Sequence, residues 1–205
     1  MITLLVVAVL GVVLILVLKK LFEKPPAPPP KPVENVADVT IADARTGDSI
    51  SVSGAGDEFA DLDFTVENRN DYSLGPRRWL ELRGMYKNRR VVLEVSVADE
   101  VEIYAATDGR RLTLDELALN EDDLGQLDER QNTADFFAFD DKNWYYCLSR
   151  EFAWNGSGQG ASFYGWLFRE EGTGRALLIR KSEGEAFNAL IGVKVNPGDV
   201  TVYRA

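Results

Sequence analysis

Arg90 to Val97 reads RVVLEVSV, with apolar and polar side chains close to alternating, and it belongs to a series of such runs. A period of two marks a β-strand, because successive side chains point to opposite faces of the pleat. Outward from it, the alternation returns at Ser49 to Ser53 (SISVS), Asp63 to Glu67 (DFTVE), Trp79 to Leu82 (WLEL) and Val101 to Tyr104 (VEIY). A second series follows, at Trp144 to Ser149 (WYYCLS), Ser162 to Arg169 (SFYGWLFR), Arg175 to Arg180 (RALLIR), Ala186 to Ile191 (AFNALI) and Val200 to Tyr203 (VTVY). Turn-forming residues separate the first runs: Gly54-Ala55-Gly56, Asn68-Arg69-Asn70-Asp71, Gly75-Pro76 and Lys87-Asn88-Arg89. Residues 38–205 are therefore expected to form a mainly β domain.

The two series can be laid over each other. Phe64-Thr65-Val66-Glu67-Asn68-Arg69, Trp79-Leu80-Glu81-Leu82 and Arg90 to Val95 run parallel to Tyr145 to Arg150, Trp166 to Arg169 and Arg175 to Arg180. This suggests half-repeats over 40–105 and 140–205, each an antiparallel β-meander, packing or closing into a β-sandwich or small barrel. Between them, residues 112–129 break the alternation. Thr113 with Glu116 has capping-box spacing, Asn120 can cap a second piece, and Leu114, Leu117, Leu119, Leu124 and Leu127 offer an apolar stripe. A short helical connector covering an edge or mouth of the sheet is expected there.

Residues 2–18, ITLLVVAVLGVVLILVL, carry no charged side chain, and Lys19-Lys20 follow them. Extended to residue 22, the segment is long enough as a helix to cross a bilayer core of about 30 Å. It lacks the basic start and small-residue cleavage site of a secretory signal. Residues 1–23 are thus expected to be a transmembrane anchor that contacts the bilayer through residues 2–22. Lys19, Lys20, Lys24 and Lys31 all follow the span, so the positive-inside rule puts the amino terminus outside and the domain in the cytoplasm, at the inner membrane. Residues 24–37 form a proline-rich linker, a polyproline spacer between bilayer and domain.

The chain has no histidine, which removes the commonest general base and the histidine-paired nucleophiles. Cys147 lies in an aromatic strand and reads as a buried, inert thiol. A net charge of −10 argues against binding a phosphate backbone and hence against nucleic acid. No catalytic, metal or cofactor residue is selected. Asp61, Asp63 and Glu67 form an acidic face opposite Leu62, Phe64 and Val66, without EF-hand spacing. The loop Asn155 to Gly160 lacks the Lys-Ser/Thr of a phosphate-binding loop and reads as a hairpin tip. Trp154, Asn155, Gly156, Gln159, Phe163 and Tyr164 form a candidate interaction surface around it.

Thr46-Gly47-Asp48-Ser49-Ile50, Phe64-Thr65-Val66-Glu67, Trp79-Leu80-Glu81-Leu82 and Val92-Leu93-Glu94-Val95 resemble the bacterial family catalogued as domain of unknown function 4178, chiefly over residues 40–104. The resemblance implies a β-rich fold with no assigned activity. It also implies association with phage-shock protein A-like membrane-stress proteins or polyamine-synthesis enzymes, and it carries over no functional residues. The expectation is a membrane-anchored, non-enzymatic adaptor in envelope stress or membrane maintenance, with an unidentified protein partner, a phage-shock protein A-like one being the candidate. The alternatives are a carboxylate-based enzyme or binder of a cationic metabolite, and an outward-facing envelope assembly component.

Overall fold

All the strand pairings are antiparallel. The first six strands are β1 (Ser49–Val52), β2 (Leu62–Leu74), β3 (Arg77–Tyr86), β4 (Arg89–Val97), β5 (Val101–Ala106) and β6 (Phe136–Phe139). The rest are β7 (Lys142–Trp154), β8 (Phe163–Glu170), β9 (Arg175–Lys181), β10 (Asn188–Val195) and β11 (Val200–Tyr203), with one α-helix among the described residues, α1 (Glu121–Arg130), between β5 and β6. The computed structural model describes residues 39–156 and 160–205. The expected anchor and linker, and Gln159, lie outside the described residues. Among the described residues, no helix is long and apolar enough to cross a membrane.

The sheet runs β11-β1-β2-β3-β4-β5-β10-β9-β8-β7-β6, and a further pairing, Tyr72 with Trp154 and Ser73 with Ala153, joins β2 to β7. That contact closes eight strands into a barrel, so of the two architectures expected the barrel is the one adopted. Eight strands enclose a lumen that side chains can fill or that can hold one small ligand. Tight turns set the register: Leu74 pairs with Arg77 across Gly75-Pro76, where Gly75 has φ +60°, and Tyr86 pairs with Arg89 across Lys87-Asn88.

The barrel consists of two four-stranded meanders, β2–β5 and β7–β10. Each opens on a 13-residue strand with a bulge, at Glu67 in β2 and at Cys147 in β7. The bulges align the meanders. Beyond them, the cross-strand row Asn68–Arg83–Val92–Ala106 corresponds to Leu148–Leu167–Leu178–Leu190, and the row Asn70–Glu81–Glu94–Tyr104 to Arg150–Gly165–Arg180–Asn188. Closure joins first strand to first and last to last, β2 to β7 and β5 to β10, as a two-fold relation requires. This register sets Trp79 against Phe163, not against Trp166 as the Trp-Leu match suggests.

Each bulge also switches faces. One extra residue turns the following side chains to the other side of the strand. Leu62, Phe64 and Val66 therefore face an outer core with Ile41, Ala44, Ile50, Val52, Leu80, Leu93 and Val202, whereas Tyr72 and Leu74 face the lumen beside Trp79, Phe152 and Phe163. In the second half, Trp144 and Tyr146 point outward and Phe152 inward.

The connector covers the outside of the second meander. Thr113 and Glu116 exchange the expected capping bonds, but residues 113–119 make turns, with Ala118 at φ +53°, and only the second piece is helical. Asn120 and Asp123 form the capping box of α1. Leu112, Leu117, Leu119, Leu124 and Leu127 bury against Trp144, Trp166, Phe168 and Leu177. Polar bonds fix the same seat: Trp166 Nε1 donates to the Leu124 carbonyl (3.2 Å), and Asp128 accepts from Ser149 and from the Tyr164 hydroxyl (2.7 Å).

Candidate binding site at the open end of the barrel

The two corresponding rows explain why the lumen is asymmetric. Leu148, Leu167, Leu178 and Leu190 give the second meander an unbroken aliphatic row. The lumen beside it is packed: Trp79, Glu94, Tyr104, Leu167, Ala176, Leu178, Leu190 and Gly192 enclose only about 10 Å³, roughly the room for one water. The corresponding positions of the first meander are Asn68, Arg83, Val92 and Ala106. Val92 and Ala106 are buried against Leu190, but beside Asn68 and Arg83 the barrel stays open, as two hollows of about 570 and 310 Å³ that share Asn68, Arg83 and Arg111.

The larger hollow is lined by Asn70, Tyr72, Phe163, Arg180, Ser182 and Asn188 in addition to the shared residues. The smaller takes Glu67, Arg90, Val92 and Gly109. β2 supplies Asn68 and Asn70 just past its bulge, β3 supplies Arg83, and β9 supplies Arg180, its penultimate residue. Arg111 comes from the segment after β5, held in place by the bridge between Leu112 and Ala189.

Below the hollows lies a buried ion network. Arg180, only 4% exposed, bridges two carboxylates, donating from Nη1 to Glu81 (2.5 Å) and from Nη2 to Glu94. Glu81 also accepts from Asn70 Nδ2 (3.0 Å) and pairs with Arg83 (2.6 Å), and Arg111 stands 3.8 Å away. Glu94 accepts from Trp79 Nε1 (2.5 Å). Arg180 further stacks over the ring of Phe163 at 4.5 Å, and Phe163 in turn stacks on Phe152. Gly165, the counterpart of Glu81, has no side chain, which leaves room for the Phe152 ring: a Cβ there would lie 2.6 Å from it.

The carboxylates differ in character. Burial opposes ionisation of Glu81, but Arg180, Arg83, Asn70 and Arg111 outweigh it and hold the carboxyl well below the usual range. Burial, reinforced by the neighbouring Glu81, pushes Glu94 up despite Arg180. Burial also pushes Tyr72 up to about 12, so its hydroxyl stays protonated. Arg111 is shifted down by burial and by repulsion from Arg180. Neither carboxylate lines a hollow, whereas all three guanidinium groups do. The network therefore presents its cationic side to the opening. Arg83 Nε, Arg111 Nη1 and Arg180 Nε are buried and have no hydrogen-bond partner among the described residues.

Sequence reasoning missed this site, and its own candidates are scattered. Phe163 points into the lumen and Tyr164 outward to Asp128, because neighbours on a strand face opposite ways. Trp154 and Asn155 stand where β7 meets β2, with Asn155 N donating to the Asp71 carbonyl; Gly156 packs on the Trp154 ring, and Gln159 lies outside the described residues. Asp61 and Asp63 line a shallow outer depression with Ser49, Ser51 and Tyr203, and Asp61 accepts from Gly54 N. Glu67 leaves that face at the bulge and joins the smaller hollow. Cys147, at the other bulge, is partly buried and its thiol is pushed up by burial. Among the described residues, no group of three or more Cys, Asp or Glu side chains could hold a metal ion.

The chain matches no protein-family model, no curated protein and no solved structure.

Proposed function

We propose that this chain is a non-enzymatic binding module that takes a small ligand into the open end of its barrel. The observation that supports this is the contrast between equivalent positions: Leu148 and Leu167 pack one side of the lumen, whereas their counterparts Asn68 and Arg83 line the hollows of the other. Packing alone would favour leucines at both. A lumen closed at one end, with a few convergent polar groups, is the usual form of a small-molecule site.

In this proposal residues 2–22 tether the module to the inner membrane with the domain in the cytoplasm, a reading supported by the one-sided lysines. Tethering raises the local concentration of the domain for a protein partner at the bilayer surface. The family resemblance adds membrane maintenance as the setting.

The test is thermal melting of the full chain against a panel of small metabolites, with Asn68→Leu/Arg83→Leu as control. At a hundredfold excess over Kd, a ligand stabilises by about 2.7 kcal/mol, which is roughly 5–10 °C in Tm for a chain of this size. At least one compound is expected to shift the wild type and not the variant. A panel that shifts neither, or both equally, rejects the site.

A further inference from the structure

We propose that the ligand of the open end is a small oxyanion, a carboxylate or a phosphate, held by the guanidinium groups of Arg83, Arg111 and Arg180. The inference rests on reading the open end as a binding site and adds the chemistry of what enters it.

Three arginines from separate elements line one hollow, Arg83 from β3, Arg180 from β9 and Arg111 from the segment after β5, and each keeps a buried nitrogen without a hydrogen-bond partner among the described residues: Arg83 Nε, Arg180 Nε and Arg111 Nη1. Arginine can only donate and does not lose its proton, so the complementary ligand must accept. Leaving such donors buried and unmade costs about 1–3 kcal/mol each. A carboxylate or phosphate satisfies several at once, and the planar guanidinium fork matches both. Neutral donors extend the cradle: the Asn68, Asn70 and Asn188 amides and the Ser182 and Tyr72 hydroxyls line the same hollow.

Charge placement narrows the class. Glu81 and Glu94 hold the arginines from behind and are not part of the lining, so the larger hollow sets three guanidinium groups against one carboxylate, Glu185. That opposes a cationic metabolite. The rest of the molecule opposes large polyanions, since the chain carries a net charge of −10 and Glu67 and Glu185 stand at the edges of the two hollows. A cationic hollow of about 570 Å³ in an acidic protein therefore suits a compact anion and excludes a nucleic acid strand.

The experiment follows the arginine Nε–Hε NMR signals of the full chain during titration with inorganic phosphate and, separately, with succinate. Sodium chloride at matched ionic strength is the control. Saturable shifts of the Arg83 and Arg180 signals are expected with at least one oxyanion and not with chloride, and Arg111→Gln should weaken the apparent Kd tenfold or more. Saturation by phosphate alone assigns the phosphate class, and by succinate alone the carboxylate class. Shifts that do not saturate, that chloride reproduces, or that Arg111→Gln leaves unchanged overturn the proposal. If neither anion binds while a neutral or cationic compound passes the melting test, the oxyanion proposal fails and the open-end reading stands. If nothing binds at all, both fail.

Discussion

Arg180 of β9 and Glu94 of β4 occupy corresponding positions in the two meanders, and they meet inside the barrel as an ion pair. The adjoining pair of counterparts, Glu81 and Gly165, carries the second carboxylate on one side and, on the other, a glycine against which the Phe152 ring packs. The polar network thus arises because equivalent positions hold different residues.

Removing the central cation should be severe. Arg180→Leu leaves Glu81 and Glu94 facing each other in the lumen, and breaking a buried pair from one side costs about 3–5 kcal/mol. Urea denaturation of wild type and variant measures this. Adding Glu81→Gln and Glu94→Gln to Arg180→Leu should recover part of the loss, because the uncompensated charges go with it.

The two carboxylates should give opposite pH dependences. The folded-state pKa of Glu81 is depressed from 4.5 to about 2, so its stabilisation is present above 4.5 and is lost as pH falls between those values. That of Glu94 is raised, so its contribution is present below 4.5 and is lost as pH rises through the folded-state value. The stability difference between wild type and Glu81→Gln should therefore grow from pH 2 to pH 5. The difference between wild type and Glu94→Gln should shrink as pH rises above 4.5. Denaturant midpoints across that range check both slopes.

Much of the strand pattern was legible because the outer faces follow simple rules. Leu62, Phe64 and Val66 alternate with acids, and RVVLEVSV alternates over a full strand, since one face meets a core. Asn68-Arg69-Asn70-Asp71 reads as a turn but continues β2. Its polarity has two sources: Asn68 and Asn70 line the open lumen, while Arg69 and Asp71 pair with each other at 2.7 Å. The bulge at Glu67 hid this, because it shifts the inward set by one residue without changing the composition. Phe136–Phe139 was missed as a strand since FFAF lacks alternation. The arginine site was illegible for a different reason. Arg83, Arg111 and Arg180 lie far apart in sequence, and only barrel closure brings them together. The retrievable clue was a charged residue, Arg180, continuing the inward alternation of Ala176 and Leu178 in β9.

The seat of α1 gives a local prediction. Asp128→Ala removes the acceptor for Ser149 and Tyr164; Ser149 keeps its bonds with the Tyr146 hydroxyl and Gln131, whereas the Tyr164 hydroxyl loses its acceptor. A loss of about 1–3 kcal/mol is expected. Hydrogen exchange should show it as faster opening of residues 121–130 and unchanged protection in β3 and β4.

Gly84 tests how closely β2 and β3 approach beside the bulge. A Cβ at this position would lie 2.3 Å from the Thr65 carbonyl oxygen and 2.5 Å from the Phe64 ring. Backbone cannot yield as a flexible side chain does, so Gly84→Ala should destabilise by about 1–3 kcal/mol or more. Gly125→Ala, on the exposed side of α1 with nothing within 4 Å, should be neutral or stabilising by up to about 1 kcal/mol. Thermal melting of the two variants compares them directly.

The central claim is that the open end of the barrel is a site for a small oxyanion, and a crystal structure with a heavy tetrahedral oxyanion tests it most directly. Tungstate, standing in for phosphate, should give an anomalous peak within hydrogen-bond distance of Arg111 Nη1 and Arg180 Nε. That peak should be lost in Arg111→Gln crystals. Tungstate bound only at exposed surface lysines or arginines, with the hollow between Asn68, Arg83 and Asn188 filled by water alone, would contradict the account.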